Sequence, residues 1–383
     1  MSVKARRILA LAAAFGVALP ACGPSARERR QDRIVAAESA ETLASRPGLL
    51  VGEFSLAADG VVDGDTIKVV GLKESIRLVN VDTEETFKSA TDRALFAAGW
   101  ESYLESKKGD SRHPVKMATP LGEEAKTFAK EFFGKGALVR LERDHPRDLR
   151  DRYQRHLGYA FVLKDGRWVN YNVECVRAGM SPYFSKYGYS RRFHAEFVAA
   201  QQEAREARRG IWDPAGKHYP DYADRLLWWN ARGDFVRAFE KEAGDREDWI
   251  DLAHWDSLRL LRKNLGKRVH VLGVVGTIEG EKDPPIRVHL ARRRGSDLPV
   301  TFFDERVFVA SGIARFKGEY VAVAGRVNEY EADDRRRPRL EVVVDRVEDV
   351  SGPVAALKWS GAEATSPGEV EGADGTTPVD EGR

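Results

Sequence analysis

The chain has 383 residues, enough for two or three domains of roughly 100–200 residues each. Hydrophobic residues make up 42% and charged residues 32%, which suits soluble globular domains and excludes a polytopic membrane protein. The 62 basic and 60 acidic residues leave a net charge of +2, so nucleic-acid binding would need a local basic patch. Two cysteines exclude a disulfide-stapled miniprotein and a four-cysteine zinc site.

The first residues predict export. A basic stretch at 4–7 precedes the uncharged apolar run 8–21, which is too short to span a bilayer as a helix. The run ends in Ala21-Cys22, which resembles a bacterial lipoprotein box whose cysteine is acylated after cleavage. An ordinary secretory peptide cut near Ala21 is the alternative. We therefore expect an exported protein, anchored through Cys22 at the outer membrane or the periplasmic face, or else secreted.

Hydrophobic patterning predicts a β-rich α+β protein with two small barrels and a helical connector. The second barrel has a strand order that resembles an OB-fold, and its basic loops at 292–294 and 335–339 either grip nucleic acid or coat a solvated surface. The predicted segments are a signal peptide at 1–21, a tether at 22–49, a barrel with packed helices at 50–213, a helical tryptophan-rich connector at 214–265, an OB-like barrel at 266–350 and a disordered acidic tail at 351–383.

In the first barrel, residues 67–70 and 76–79 alternate like half-buried strands. Thr119-Pro120 opens an amphipathic helix that Gly134 ends, and a second helix follows Ser190 and stops at Gly210. Other predicted elements are strands at 138–141, 157–163, 269–278, 286–290, 300–303, 320–329 and 340–344, and helices around 94–106 and at 305–313.

Acidic and basic residues alternate along the first barrel. Asp65 has the parity of the buried positions of its strand, and Arg77 shares a face with apolar residues, so each needs an opposite charge. Asp82, Glu84 and Glu85 put three carboxylates within four residues, which a hard cation such as calcium would neutralise. Carboxylates for a metal and arginines for a phosphate clamp suit phosphodiester cleavage. The arginines are Arg140, Arg143, Arg147, Arg150, Arg152 and Arg155.

The order of these motifs resembles the thermonuclease, or staphylococcal nuclease, family over about residues 60–212. The matching segments are DGDT at 63–66, IRL at 76–78, the acidic segment at 82–86, DRYQRHL at 151–157, NVECVRAG at 172–179 and GIW at 210–212. The resemblance implies a five-stranded OB-type barrel with three helices that hydrolyses DNA and RNA with calcium and leaves 3′-phosphate ends. It implies no small-molecule cofactor.

The resemblance also implies a role for each matching residue. Arg77 and Arg155 correspond to the arginines that clamp phosphate, and Glu85 corresponds to the general base. The remaining residues are the calcium ligands Asp65, Asp82 and Thr83 (through its carbonyl), and the nucleotide-binding residues Arg152, Tyr153 and Tyr187.

Three departures from the family pattern are present. Glu84 replaces a proline and adds a charge that could loosen the loop. Gln154 and His156 flank Arg155 where glycines are usual, and His156 is either a phosphate contact or an ordinary loop histidine. The insert at 87–117 is longer than typical and falls where it could narrow the mouth of the site.

Three functions remain open from the sequence. The first is an exported calcium-dependent nuclease, and the second is a non-catalytic nucleic-acid- or protein-binding envelope lipoprotein built on the same folds. The third is a purely structural envelope lipoprotein, which would not need the polar groups of the first barrel to converge. For the remaining cysteine and the connector tryptophans, we expect a role in packing rather than in chemistry. Cys175 reads as a buried thiol, and the connector tryptophans (Trp228, Trp229, Trp249 and Trp255) read as core rather than as base-stacking platforms.

Overall fold

The computed structural model describes residues 49–359, apart from 112–113, 148–149, 152–154, 282–283, 292–296 and 332–337. The predicted signal peptide, nearly all of the predicted tether and most of the predicted tail lie outside the described residues. The basic loop at 292–294 and residues 335–337 of the second basic loop also lie outside them. In the described part of the chain, no helix has the length and apolarity needed to cross a bilayer.

The first barrel is a closed sheet in the order β3-β2-β1-β4-β5, with a parallel β3–β5 pairing that completes it. A sixth strand, β6, forms a hairpin with β5. This order confirms the predicted five-stranded OB-type barrel among the described residues. The strands are β1 Leu50–Val61, β2 Thr66–Val69, β3 Ile76–Leu78, β4 Leu138–Glu142, β5 His156–Lys164 and β6 Arg167–Asn170.

Helices pack around this barrel. Thr119 caps α3 with its hydroxyl, which accepts from the Gly122 amide, and Gly134 ends the helix at a positive φ of 69°, as the sequence predicted. The insert forms two helices rather than one, because Gly99 separates them. The helices are α1 Ala90–Ala98, α2 Trp100–Lys108, α3 Pro120–Phe133, α4 Tyr171–Arg177 and α5 His194–Glu206, followed by a 3-10 turn at Gly210–Trp212.

The second barrel has the same strand order. Its sheet runs β11-β12-β10-β9-β8 and closes through β11–β8, with β10 and β12 parallel. The predicted OB-like barrel is therefore present, with α8 between its third and fourth barrel strands. The strands are β8 Arg268–Glu279, β9 Ile286–Ala291, β10 Leu298–Phe302, β11 Tyr320–Glu331 and β12 Pro338–Val343, and α8 is Glu305–Ser311.

The connector departs from its prediction at one place. It contains the long helix α6, Tyr222–Ala243, and the short helix α7, Ser257–Lys263. Between them, Trp249–Asp251 forms β7, which pairs in parallel with β8 and so belongs to the second sheet. The first residues of the predicted disordered tail are ordered. Val350–Ser351 forms β13, which pairs with β11, and Val354–Trp359 forms a 3-10 turn. A short apolar run gives too little periodicity to distinguish strand from helix.

Each barrel has its own apolar core, and α6 packs against both. Trp229 meets Phe184 of the first barrel edge-on, with ring centroids 4.7 Å apart. Further along α6, Val236 and Phe239 join a cluster with Leu272 of the second barrel. Of the connector tryptophans, Trp229 is buried, and Trp228 and Trp249 are partly buried against these clusters, which favours packing for these three.

A buried ion pair fastens α6 to the second barrel. Arg232 Nη1 lies 2.6 Å from the Glu319 carboxylate, and both side chains are almost fully buried, with 2% and 1% exposed. The same guanidinium donates to the carbonyls of Gly318 and Lys186, and the Trp228 indole donates to Glu319. Arg232 therefore links the second barrel to a loop of the first.

We expect Arg232→Met to lower the free energy of unfolding by about 3–5 kcal/mol, because it leaves the Glu319 carboxylate buried without its cation. Urea denaturation followed by tryptophan fluorescence measures the change. Arg306→Met is the matched control, since Arg306 is paired with Asp304 on the surface and 91% exposed, and it should leave stability almost unchanged. Equal stability of Arg232→Met and the wild type would contradict the assignment.

Candidate active site

One guanidinium holds two buried carboxylates at the end of the first barrel. Arg77 projects from β3 and makes ion pairs with Asp65 through Nη1 and with Asp82 through Nη2, the latter at 2.6 Å. Nη2 also donates to the Val81 carbonyl at 3.2 Å. Asp65 and Asp82 are each only 5% exposed. The predicted need of Arg77 and Asp65 for opposite charges is confirmed, and the two carboxylates converge on one point.

Asp65 precedes β2 and is held by main-chain and side-chain donors. The Thr83 amide donates to Asp65 Oδ2 at 3.2 Å, and the Thr66 hydroxyl donates to Oδ1 at 2.9 Å. Burial alone would raise the pKa of Asp65, but Arg77 outweighs it and, together with Lys116, lowers the pKa to about 2. Burial and the charge of Asp65 raise the pKa of Asp63 to about 7. Of the two carboxyl groups of Asp63 and Asp65, that of Asp65 is therefore the one that loses its proton first.

Asp82 is fixed from a different part of the chain. Its amide donates to the Ser181 hydroxyl, which follows α4, at 2.8 Å. Its Oδ1 accepts from Arg77 and also from Lys116, whose Nζ is 3.0 Å away. Lys116 lies at the end of the insert, so the insert delivers a cation to the acidic loop.

The acidic loop does not gather its three carboxylates at one point. Glu84 turns into the protein, where it is 1% exposed and accepts from the Thr119 hydroxyl, the Tyr219 amide at 2.6 Å and the Tyr222 hydroxyl at 2.8 Å. Burial raises the pKa of Glu84, although these donors oppose the shift. The expectation that Glu84 loosens the loop is wrong: three hydrogen bonds anchor it, and Glu84 takes no part in a shared metal site.

Glu85 faces the opposite way, outward from the loop. Its carboxylate is 31% exposed and lies 3.3 Å from Lys88. Its carbonyl accepts from the Thr119 amide at 3.0 Å, and the N-terminal turn of α3 presses on it. A Cβ on Gly122 would come within 2.1 Å of that carbonyl oxygen, so only glycine allows this approach. The helix thus sets the position of Glu85.

Arg155 lies just before the strand that pairs in parallel with β3. It immediately precedes β5, and the parallel register pairs Arg77 with Leu157, two residues further along. Its Nε lies 2.7 Å from Asp151, which also accepts from the Arg155 amide. The predicted residues Arg152 and Tyr153, and Gln154 between them and Arg155, lie outside the described residues.

Most of the other arginines of the predicted basic cluster are used in local ion pairs. Arg140 pairs with Glu142 at 2.7 Å and Arg150 with Glu74 at 3.4 Å. Arg147 lies 3.9 Å from Asp256 of the connector. These ion pairs give Arg140, Arg147 and Arg150 structural partners, so they support a structural role rather than a phosphate clamp for these three arginines.

Tyr187 lies on a loop that is tied to the acidic segment. Asn80 adopts a positive φ of 60°, and its side-chain amide donates to the carbonyls of Phe184 and Gly188, each at 3.1 Å. Tyr187 itself is 58% exposed and meets Phe184 edge-on. Next to it, Lys186 places its ammonium 4.8 Å from the Trp228 ring centroid. An exposed aromatic ring therefore lies on a loop that Asn80 fastens close to the acidic segment, an arrangement that suits a nucleotide.

The surroundings of His156, which the sequence left open, and of Cys175, predicted to be a buried thiol, disfavour a direct chemical role for either. Burial, assisted by Arg150 and Arg143, lowers the pKa of His156 to about 4, so its ring is neutral at pH 7 and cannot act as a cationic phosphate contact. Cys175 is fully buried, and burial raises its pKa to about 12, which keeps the thiol protonated and unreactive.

The donors around Asp65 fit a hard cation. Two carboxylates, from Asp65 and Asp82, stand beside the Thr83 peptide, and oxygen donors of this kind are preferred by calcium. Between residues 49 and 359, outside the gaps in the described chain, no three Asp, Glu, His or Cys side chains form a metal-binding group by themselves. Main-chain carbonyls and water would therefore complete the coordination.

The sequence of this chain is similar to those of known proteins. Residues 75–214 match the sequence profile described as "Staphylococcal nuclease homologue". A thermonuclease of Staphylococcus hyicus is 30% identical over 157 residues, which is 40% of this chain and 72% of that protein. The chain belongs to the staphylococcal nuclease family. The membership supports a nuclease-like function for the first barrel.

Two further relatives of this staphylococcal nuclease homologue show the same extent of similarity. An uncharacterised protein of Methanocaldococcus jannaschii is 32% identical over 162 residues, covering 40% of this chain and 69% of that protein. A thermonuclease of Staphylococcus intermedius is 29% identical over 155 residues, covering 40% of this chain and 73% of that protein. The similarity leaves α6 and the second barrel without a counterpart in the matched profile, which ends at residue 214.

Sequence reasoning missed the residues that position the site from a distance. Ser181 and Asn80 tie two loops together, and Tyr219 and Tyr222 anchor Glu84 from beyond the nuclease segment. Lys116 was also missed, because it lies in the insert, where no sequence motif marks it. A polar residue next to a predicted ligand gives no signal by itself, because its partner is separated from it by up to 138 residues of sequence.

We expect Gly122→Ala to reduce stability by about 1–3 kcal/mol, because the added methyl group must displace the Glu85 backbone. Nuclease activity should fall more than stability alone explains, since Glu85 moves with the loop. Thermal unfolding and nucleic-acid digestion below the melting temperature measure the two effects. Glu124→Ala, on the exposed face of the same helix, should change neither, and full activity of Gly122→Ala would refute the role of the close approach.

Proposed function

We propose that the chain is a calcium-dependent endonuclease that hydrolyses DNA or RNA and leaves 3′-phosphate ends. The single observation that carries the proposal is the convergence of Asp65 and Asp82 on the Arg77 guanidinium within a barrel of the staphylococcal nuclease family. The two thermonuclease relatives support the reaction class. A fold of this type alone would not assign a reaction, so the proposal depends on these side chains.

Asp65, Asp82 and the carbonyl of Thr83 would hold the calcium ion. When bound, calcium polarises the phosphate and lowers the pKa of a neighbouring water. The carboxylates suit this role because they are buried, close together and ionised in the case of Asp65, whose pKa is about 2. Thr66 donates to the Asp65 carboxylate, and Ser181 holds the Asp82 backbone by accepting from its amide.

Glu85 would act as the general base. Its exposure of 31% leaves it accessible to water, whereas Glu84 is sealed in the interior and cannot compete for this role. The hydrogen bond from the Thr119 amide to the Glu85 carbonyl holds the backbone of Glu85 against the N-terminal end of α3. A base must lie within hydrogen-bond reach of the water that it deprotonates, so this fixed backbone is part of the chemistry.

Arg77 and Arg155 would stabilise the extra negative charge on the phosphate in the transition state. Guanidinium groups suit this role because their donors match phosphate oxygens bidentately. Arg77 lies on β3 and Arg155 just precedes β5, which pairs with β3, so the two arginines come from neighbouring segments of the barrel. Tyr187 would contact the nucleotide with its exposed ring, and Arg152 and Tyr153 keep their predicted nucleotide-binding roles outside the described residues.

We expect Glu85→Gln to lower the rate of cleavage by a factor of roughly 10²–10⁴ while single-stranded DNA still binds. Digestion of labelled single-stranded DNA with calcium, and again with excess chelator, measures the rate, and end-labelling identifies the 3′-phosphate. Glu124→Gln, an exposed carboxylate on α3, is the matched control and should cleave normally. Digestion that survives both chelation and Glu85→Gln would disprove the proposed chemistry. Binding without any cleavage by the wild type would favour the non-catalytic alternative.

We also propose that the protein acts outside the cytoplasm as a lipid-anchored envelope protein. The support is the sequence of residues 4–22, with its basic start, apolar run and terminal Cys22. Acylation at Cys22 would tether the nuclease while leaving the barrels in solution.

We expect Cys22→Ser to shift the protein from the membrane fraction to the soluble periplasmic or secreted fraction. Fractionation of cells that express the full chain, combined with incorporation of a labelled fatty acid, measures the shift. Cys175→Ser is the control, because that thiol is buried in the first barrel and should not affect partitioning. Unchanged membrane association and labelling of the Cys22 variant would contradict lipidation at this position.

A further inference from the structure

Lys116 makes a contact that the nuclease motifs do not account for. Its ammonium lies 3.0 Å from Asp82 Oδ1, the same oxygen that accepts from Arg77 at 2.6 Å. The lysine side chain is 27% exposed, so it reaches the buried carboxylate from the solvent side. Lys116 is also near enough to lower the pKa of Asp65. One lysine from the insert therefore influences both carboxylates.

The backbone on each side of Lys116 is clamped. The buried guanidinium of Arg225 donates to the Val115 carbonyl at 2.5 Å. The Tyr219 hydroxyl accepts from the Met117 amide at 3.0 Å and donates to the Met117 carbonyl at 2.9 Å. Tyr219 belongs to the segment that leads into α6, and Arg225 lies near the start of α6 itself. The position of Lys116 is thus built by the connector and is not that of a lysine on a flexible loop.

Other side chains fix the same segment from the insert. Tyr103 is fully buried in α2, and its hydroxyl donates to the Ala118 carbonyl at 2.8 Å. The rings of Phe96, Trp100 and Tyr103 contact one another, two of the three pairs edge-on, and hold α1 and α2 together. The insert is therefore a packed unit whose last residues present Lys116 to Asp82.

We propose that Lys116 is a tethered cation that competes with the divalent metal for Asp82, so that the insert sets the metal affinity of the site. This inference rests on the proposed function, because it takes Asp82 as a metal ligand. A metal ion must displace the ammonium from Asp82 or bind against its charge, since both positive groups need the same carboxylate. Without metal, Lys116 and Arg77 together balance the charge of the Asp82 carboxylate.

The competition makes a quantitative prediction for metal binding. Removing the ammonium relieves repulsion against a doubly charged ion at short range, in a site whose carboxylates are almost fully buried. We expect Lys116→Met to tighten calcium binding about tenfold. Lys116→Arg keeps the charge and should stay close to the wild-type affinity.

Isothermal titration of calcium into the full purified chain measures the affinity directly, without reference to catalysis. Lys107→Met is the matched control: it removes the same charge from the same insert, but Lys107 pairs with Asp92, so its affinity should stay within about twofold of the wild type. Thermal unfolding with and without calcium gives a second measurement, because tighter binding to the folded state raises the calcium-induced shift in Tm. Lys116→Gln replaces Lys116→Met if the methionine variant does not fold.

Each result decides the matter. Tighter binding by Lys116→Met, with Lys107→Met and Lys116→Arg unchanged, supports the proposal, and it does so most clearly if the wild type binds calcium only weakly. Equal or weaker binding by Lys116→Met overturns the proposal while leaving the proposed nuclease function intact, provided the wild type cleaves DNA with calcium. If neither the wild type nor any variant binds calcium, the proposed competition between Lys116 and the metal is wrong. If the wild type does not cleave DNA with calcium, the proposed function itself is wrong.

Discussion

Two buried carboxylates that share one guanidinium are the constraint on which the site depends. Asp65 and Asp82 are too deeply buried to remain charged without a cation, and Arg77 supplies it from the adjoining strand. This arrangement forces the turn before β2, the end of β3 and the acidic loop to meet at one end of the barrel. The same geometry that keeps the free protein folded therefore also places oxygen donors where a cation can bind and a guanidinium where phosphate would lie.

The acidic loop assigns a different task to each of its carboxylates. Asp82 faces Arg77 and Lys116, Glu84 is buried as a structural anchor, and Glu85 remains accessible. Three charges that faced the same way would repel one another, whereas their divergence allows each to find its own donors. The replacement of proline by Glu84 thus exchanges a backbone restraint for hydrogen bonds. Because those bonds come from Thr119, Tyr219 and Tyr222, the loop is tied to both α3 and the connector.

Periodicity and capping predicted most of the fold. Thr119, Pro120 and Gly134 marked both ends of α3, and the alternation at 67–70 and 76–79 located two barrel strands, because these signals are local. Motif order located Asp65, Arg77 and Asp82, but it could not show that Glu84 turns inward. Orientation of that kind is decided by Tyr219 and Tyr222, more than 130 residues away. The strand at Trp249–Asp251 was missed for a related reason, since its pairing with β8 is tertiary.

The connector does more than separate two barrels. Its first residues hold Glu84 through Tyr219 and Tyr222 and fix the backbone around Lys116 through Tyr219 and Arg225. Further along, Arg232 joins the carbonyl of Lys186, in the loop that carries Tyr187, to Glu319 of the second barrel. The matched nuclease segment ends at residue 214, so all of these positioning residues lie beyond it. A barrel cut at that boundary would keep its carboxylates and arginines but would lose two of the three hydrogen bonds to Glu84 and those that clamp the backbone around Lys116, which makes the added segments a structural part of the site.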